Sequence, residues 1–320
     1  MRESSLGYSP RPKAKGKYKM KSLINFIVTI LTHLHVLTPL RTSKLKFLVK
    51  CHKWPNFKHP KDVNEKINWM KFYGDTSMWP IYADKYRVRE FVKECGLGDT
   101  LIPLIGKWDS VDEIDWDALP NQFVMKCNNG SGDVVVCTDK SKLDIEMTKK
   151  HFEKQLKKKL SVLSGELHYA KIKPCIIAEQ MLDASTQPCN STSLIDYKVW
   201  VFDGKPLFTW CTWNRQQYHA NVAVYDMDWN FHPEWSVWTS HYVMPKDRVP
   251  KPACFDKLMD AVSRLGRGIP VARIDMYVCG EKIYFGEITM TSQAGFMDFY
   301  TQEFLDKMGQ LTVLPIDCEK

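Results

Sequence analysis

Two runs near the C-terminal end constrain the fold most tightly: Val271-Ala272-Arg273-Ile274-Asp275-Met276-Tyr277 and Ile283-Tyr284-Phe285-Gly286-Glu287-Ile288-Thr289. Both are rich in β-branched and aromatic residues, and Gly280-Glu281 lies between them, so the pattern predicts a β-hairpin. The hairpin must carry an arginine and two carboxylates within apolar strands. Its turn decides where those charges point. A simple two-residue turn pairs Asp275 with Gly286 and sends Asp275 and Glu287 to opposite faces. A three-residue loop or a bulge pairs Asp275 with Glu287 and puts both on one face. Acid oxygens side by side are the ligands Mg²⁺ prefers, and a neighbouring cation can offset charge developing during phosphoryl transfer. Metal binding here therefore requires the odd loop or the bulge.

The chain has 320 residues, enough for one large α/β unit or two or three sub-domains. Its 44% hydrophobic and 26% charged residues are ordinary for a globular protein. Ten cysteines stand singly, without CxxC or zinc-finger spacing, which reads as reduced thiols. The sequons at Asn129 and Asn190 are then coincidental. The net charge of +8 is unevenly spread: from Ser4 to Lys61 there are thirteen Lys and Arg and no Asp or Glu. The basic charge belongs to the N-terminal region.

Residues 1–19 are polar, basic and Pro/Gly-containing, and read as disordered. Met20 to Leu37 places Ser22, Asn25, Thr29 and Thr32 in one polar stripe along an apolar helix, with Pro39 as its expected end. Three readings stay open: a helix in the plane of an acidic membrane, a helix docked on the body, or a span or signal. Further on, the run from Asp62 to Met70 is a helix start with an aspartate or asparagine cap, Asp84–Val92 is a second, Asp144–Leu163 is a third with a basic face, and Phe255–Leu265 is a fourth. Extended runs fall at 101–105, 123–126, 134–137, 175–179, 197–202 and 207–210, with Asp203-Gly204 as a type I′ turn. Helices mixed with antiparallel hairpins indicate α+β rather than a doubly wound sheet.

Beyond the hairpin, several residues could carry chemistry. Lys126 precedes the turn Asn128-Asn129-Gly130-Ser131-Gly132, where glycines let backbone N–H groups close on a phosphate. The order is not that of a Walker A loop. Glu179 closes an apolar strand ahead of Gln180-Met181-Leu182, a position from which a side chain and backbone can read a purine. Lys198 lies on an aromatic-rich strand, either snorkelling or contacting phosphate. Trp210, Trp213, Arg215 and Tyr218 are candidates for a substrate pocket.

Taken in order, these segments resemble the TupA-like ATP-grasp family, which is named for teichuronopeptide biosynthesis and is found with bacterial surface-polysaccharide functions. The matching segments are Asn64-Glu65-Lys66-Ile67…Trp69, Ala83-Asp84-Lys85-Tyr86…Val88-Arg89, Leu119-Pro120…Phe123-Val124-Met125-Lys126, Ile177-Ala178-Glu179, Asp196-Tyr197-Lys198, Arg273-Ile274-Asp275-Met276-Tyr277 and Tyr284-Phe285-Gly286-Glu287-Ile288-Thr289. They run from about Pro60 to Leu314. The resemblance implies an ATP-grasp fold with nucleotide between two α+β lobes. It divides the chain into a basic arm and amphipathic helix (1–60), an N-terminal part (61–120), a small lobe (121–185) and a metal-binding lobe (186–320).

On this resemblance ATP and Mg²⁺ are the cofactors. Lys85, Lys126, Asn128, Gly130, Ser131, Gly132, Glu179 and Leu182 would bind nucleotide, Glu179 at the adenine. Asp275, Glu287 and Thr289 would hold metal, with Thr289 where the wider superfamily has Asn. Arg273, Lys198 and Arg215 would act at the transferred phosphoryl group or the substrate. The implied reaction joins a carboxylate to an amine through an acyl phosphate. A uronic-acid glycan and an amino acid are the expected partners, at the cytoplasmic membrane face, with residues 11–61 on an anionic surface. Nucleic acid is not an expected partner, because the basic region has few aromatics and no recognition-helix motif. The alternative is a nucleotide-sugar glycosyltransferase using Asp226 and Asp228 in Tyr225-Asp226-Met227-Asp228-Trp229.

Overall fold

The computed structural model describes residues 28, 31–32, 36–130, 132–158, 164–216 and 219–315. The basic tail at 1–19, most of the helix expected at 20–37, Ser131 and Tyr218 lie outside the described residues. The first complete helix is α1 (Pro39–Cys51), which the sequence reading did not anticipate. Pro39 was expected to end a helix; instead it opens one. Its missing N–H costs nothing in a first turn, and Thr38 caps that turn by accepting from the Arg41 N–H.

Helix α2 (Val63–Tyr73) takes the aspartate of the two candidate caps, Asp62 accepting from the Glu65 N–H at 2.9 Å, while Asn64 lies inside the helix. Then come α3 (Trp79–Tyr82), α4 (Val88–Glu94) and strand β1 (Leu104–Trp108). Strands β2 (Phe123–Cys127) and β3 (Val135–Cys137) precede helix α5 (Ile145–Leu156) and strand β4 (Ile176–Glu179). These four strands form one antiparallel sheet in the order β1-β4-β2-β3. Phe123, Met125, Cys127, Ile176 and Ala178 form a core with Phe152 of α5. The alternation leaves Lys126 and Glu179 on the other face. β1 falls before the boundary expected at 121, because its pairing with β4 ties it to the smaller sheet.

The second sheet holds β5 (Asp196–Phe202), β6 (Lys205–Trp213), β7 (Ala220–Tyr225), β8 (Tyr242–Val243), β9 (Ala272–Cys279) and β10 (Lys282–Thr289), in the order β10-β9-β5-β6-β7-β8. All neighbours are antiparallel except β7 and β8. Asp203 (φ 47°) and Gly204 (φ 78°) make the expected two-residue turn. Helix α6 (Phe255–Gly266) packs on β5, β6 and β9. Its Gly266 comes so close that a Cβ would meet Val201 at 2.5 Å, and Ile274 lies beside it. That face of the sheet is therefore spent on packing, and Asp196, Lys198, Arg273 and Asp275 are left on the opposite face. The C-terminal helix α7 (Gln302–Leu311) packs on α2.

The N-terminal region is not a separate arm throughout. Phe47 of α1 and Phe57 are buried against Phe296, with ring centroids 5.6 and 6.2 Å from that of Phe47. Nine cysteines are described, all as free thiols. Among the described residues no helix is long and apolar enough to cross a membrane.

Candidate active site

The turn of the β9–β10 hairpin has two residues, Cys279 pairing with Lys282. Continued regularly, that register would separate the two carboxylates. It does not continue: a bulge between Phe285 and Glu287 shifts the pairing and sets Glu287 opposite Asp275. Gly286 is the extra residue, and a Cβ there would lie 2.8 Å from the Asp275 carbonyl oxygen. Glycine is required by that close backbone approach. On the next strand Lys198 is directly opposite Asp275. Glu287, Asp275 and Lys198 thus form one row across three strands.

Arg273 organises the row. Its Nε donates to Asp275 Oδ1 at 2.7 Å and its Nη2 to Asp275 Oδ2 at 2.9 Å. Nη2 also donates to Glu287 Oε1 and to the Thr289 hydroxyl, each at 3.1 Å, and Nη1 reaches the Ser292 hydroxyl at 3.1 Å. Thr289 donates in turn to Glu287 Oε1. Lys198 donates to Asp275 and lies 3.4 Å from Asp196, and Arg215 also contacts Asp196. Burial alone would push the Asp275 carboxyl up, but Arg273 and Lys198 outweigh it and hold it down at about 2. Asp275 is therefore ionised at any working pH.

The smaller sheet contributes a second group. Lys126 lies 2.6 Å from Glu179 Oε2, and Arg89 of α4 donates to Glu179 Oε1 at 3.2 Å. Both Glu179 oxygens are thus occupied by cations, so in this arrangement the carboxylate positions Lys126. Lys85 joins the two groups, donating to the Gly130 carbonyl at 2.5 Å with Nζ 4.0 Å from Glu287 Oε2. The connection from β2 to β3 runs over residues 128–134, as long as the one expected between the two runs and one residue further along. Asn128, at its start, is fully buried; its amide donates to Asp84 and the Lys173 carbonyl and accepts from the Cys175 N–H. Asn128 braces the loop base, while Gly132 (φ 77°) has open space around it.

A cavity of about 240 Å³ opens beside Arg273, lined by Lys198, Trp210, Arg215, Tyr300 and Gln293 among others. Trp213 is buried in the strand away from this lining. Asp226 accepts from the Asn230 N–H at 2.8 Å and from the Asn230 amide, and pairs with His232. The Asp226-x-Asp228 pair is a tight turn.

Arg89, Asp196 and Ser292 complete the site but escaped the reading of the sequence. Arg89 and Asp196 lie within the matching segments, flanking Lys85 and Lys198, so their spacing held a signal; Ser292 had none. Altogether six cations (Lys85, Arg89, Lys126, Lys198, Arg215, Arg273) face four carboxylates (Glu179, Asp196, Asp275, Glu287). The lining of the cavity itself includes Lys198, Arg215 and Arg273 and no Asp or Glu, which suits an anionic ligand.

The donor chemistry also fits Mg²⁺. Two carboxylates that share one guanidinium nitrogen supply hard oxygens, the kind a magnesium ion takes together with phosphate oxygens. Among the described residues no group of three or more His, Cys, Asp or Glu could hold a metal unaided. Phosphate would have to complete the shell.

A family model described as TupA-like ATP-grasp matches residues 65–313, and the chain belongs to that family. No curated protein matches the sequence. Similar solved structures include D-alanine–D-alanine ligase from Bacillus anthracis (14% identity, TM-score 0.40, covering 72% of this chain and 65% of that one). Another is the D-alanine–D-alanine ligase of Helicobacter pylori (12%, TM-score 0.40, 79% and 70%). A third is the VanG D-Ala:D-Ser ligase of Enterococcus faecalis (10%, TM-score 0.38, 72% and 60%). The chain spans less than two thirds of the B. anthracis enzyme's length.

Proposed function

We propose that the protein is an ATP-dependent ligase that joins a carboxylate to an amine through an acyl phosphate. The observation that carries this reading is the Gly286 bulge, which gathers Asp275, Glu287, Arg273 and Lys198 on one face, with Lys85 and Lys126 beside them. Lys85, Lys126 and the Gly130–Gly132 loop would hold the nucleotide phosphates, and the backbone of Gln180–Leu182 the adenine. Asp275 and Glu287, with the Thr289 hydroxyl, would hold Mg²⁺, which supplies charge stabilisation at the phosphate oxygens.

The cavity beside Arg273 would take the acceptor carboxylate. One of its oxygens attacks the γ-phosphorus while the bond to the β–γ bridging oxygen breaks, leaving ADP. The amine nitrogen then attacks the acyl carbon, phosphate departs with the C–O electron pair, and the nitrogen gives up one proton to the departing phosphate or to water. Carboxylate oxygen is a poor leaving group and phosphate a good one, so no protein nucleophile is needed. The chain's task is positioning and charge stabilisation. Arg273 and Lys198 offset charge on the transferred phosphoryl group, and the cation-rich cavity orients the carboxylate. The aromatic walls of Trp210 and Tyr300 suit a sugar ring, so a uronic acid of a surface polysaccharide, or of its lipid-linked precursor, is the proposed carboxylate and an amino acid the proposed amine.

Calorimetric titration tests this reading, comparing Mg·ATP with UDP-sugars on the wild type and on Lys126→Ala. Saturable Mg·ATP binding is expected, weakened at least about tenfold in the variant by loss of a charge-assisted phosphate contact. Binding of a UDP-sugar without any ATP response would overturn the ligase assignment.

A further inference from the structure

Helix α1 carries a surface that the proposed chemistry does not use. One side of the helix faces inward: Thr42 and Ser43 are buried, and Phe47 fills the small aromatic cluster with Phe57 and Phe296. The other side, at Arg41, Leu45 and Leu48, turns toward solvent, with Arg41 and Leu48 exposed. Just before and after the helix, Val36 is 59% exposed and Trp54 61%. Isolated exposed apolar side chains are ordinary. Here three large ones lie within a segment that contains no acidic residue.

Seven lysines and arginines occupy positions 36–61, and six more lie between residues 11 and 21. The body of the protein neutralises some of the first group: Lys50 lies 3.7 Å from Asp298 and Lys53 2.5 Å from Asp62. Arg41 and Lys58 remain exposed. Aliphatic and indole side chains interspersed with unopposed cations match the boundary of an anionic bilayer. There the indole sits at headgroup depth, the aliphatic groups reach the acyl chains, and the cations meet lipid phosphates. A nucleic-acid backbone would reward the cations and leave Val36 and Leu48 in water, so it explains half of the surface.

We propose that the outward face of α1, from Val36 through Leu48 to Trp54, docks the protein on an anionic lipid surface. The inner face of the same helix is seated against Phe296, so docking would be transmitted to a rigid body rather than to a tether. The proposal is independent of the ligase reading.

Sedimentation with vesicles tests it, using phosphatidylcholine alone and phosphatidylcholine with about a third phosphatidylglycerol. The wild type should partition onto the anionic vesicles, not onto the neutral ones, and be released by salt. A Leu48→Asp/Trp54→Ser variant should bind at least about tenfold more weakly while keeping its melting temperature and its Mg·ATP binding. Arg41→Glu/Lys44→Glu is the second variant, which leaves the apolar groups in place and should lose the anionic preference. Three results would each overturn the proposal: a wild type that stays in the supernatant, variants that bind like the wild type, or capture by a duplex oligonucleotide in place of vesicles.

Discussion

Gly286 shows how much one residue can decide. Its neighbours would allow a regular hairpin, and a regular hairpin would break the site. Any side chain at this position would press on the Asp275 backbone, which cannot yield as a flexible side chain can. Gly286→Ala should therefore either regularise the register or displace Glu287. The expected cost is about 1–3 kcal/mol in stability, typical of overpacking. The loss of ATP turnover should be larger, about a hundredfold, because a displacement near 1 Å is enough to spoil the positioning of reacting groups. Melting curves and ADP release on the same preparation separate the two effects. Full activity in the alanine variant would show that the bulge is not what assembles the site. The same logic explains what the hairpin's residues could and could not convey. Arg273, Asp275 and Glu287 were legible as residue types, but their convergence depended on a bulge whose position follows from one missing Cβ.

At the scale of elements, α2 serves the site from behind. Its apolar residues Val63, Ile67 and Met70 enter the core, while Asn64, Asn68 and Lys71 are buried and turned to the segment that follows β10. That segment holds Gln293 (φ 44°) and Ala294 (φ 58°), two non-glycine residues in the left-handed region. Such backbone costs of order 1–3 kcal/mol per residue and persists only when surrounding contacts enforce it. Those contacts are specific. Asn68 donates to the Gly295 carbonyl at 2.9 Å, Lys71 to the Ala294 carbonyl at 2.8 Å, and Asn64 brackets Met297. The turn in question carries Ser292 against Arg273 and Gln293 into the cavity.

Burial draws the Lys71 ammonium down to about 7 against a smaller upward pull from Glu166, and Lys46 adds to the downward shift. The folded state then releases a proton near pH 7 that the unfolded chain keeps until about 10.4. Between those values the unfolded state binds more protons, so Lys71 makes stability rise with pH. Denaturant titrations at several pH values should show that the wild type gains on Lys71→Met across this window. A constant difference between the two proteins would remove Lys71 from the account. Nothing in the spacing of α2 announced this role: asparagine and lysine on a helix ordinarily read as its solvated side.

For the whole molecule, the two sheets meet at Lys85, which touches the loop of one and approaches Glu287 of the other. A ligand bridging them should stabilise the fold as a unit. Mg·ATP at about a hundred times its dissociation constant adds about 2.7 kcal/mol. The melting temperature should rise with Mg·ATP and rise much less with ATP in EDTA, because Asp275 and Glu287 would then face phosphate without an intervening cation. An equal rise in both conditions would take the metal away from this carboxylate pair.

Most helices and strands followed from local pattern. Asp62, the Asp203-Gly204 turn and the β9–β10 alternation are each decided by a few neighbouring residues. Strand β7 was missed because it is buried almost throughout, so its residues do not alternate. Helix α1 was missed because apolar residues lie on both of its sides. Ordered motifs along the chain were enough to indicate the family, and they singled out Lys85, Lys126, Lys198, Arg273, Asp275 and Glu287 as candidates while passing over Arg89 and Asp196. What tertiary structure alone decided was how those charges are used. It placed Glu179 between Arg89 and Lys126, made Asn128 a brace, and enlisted α2 to hold a strained turn. These are contacts between residues far apart in the chain. Local propensity records which groups are present, but only packing determines which of them share a cavity, lose their water and must answer one another's charge.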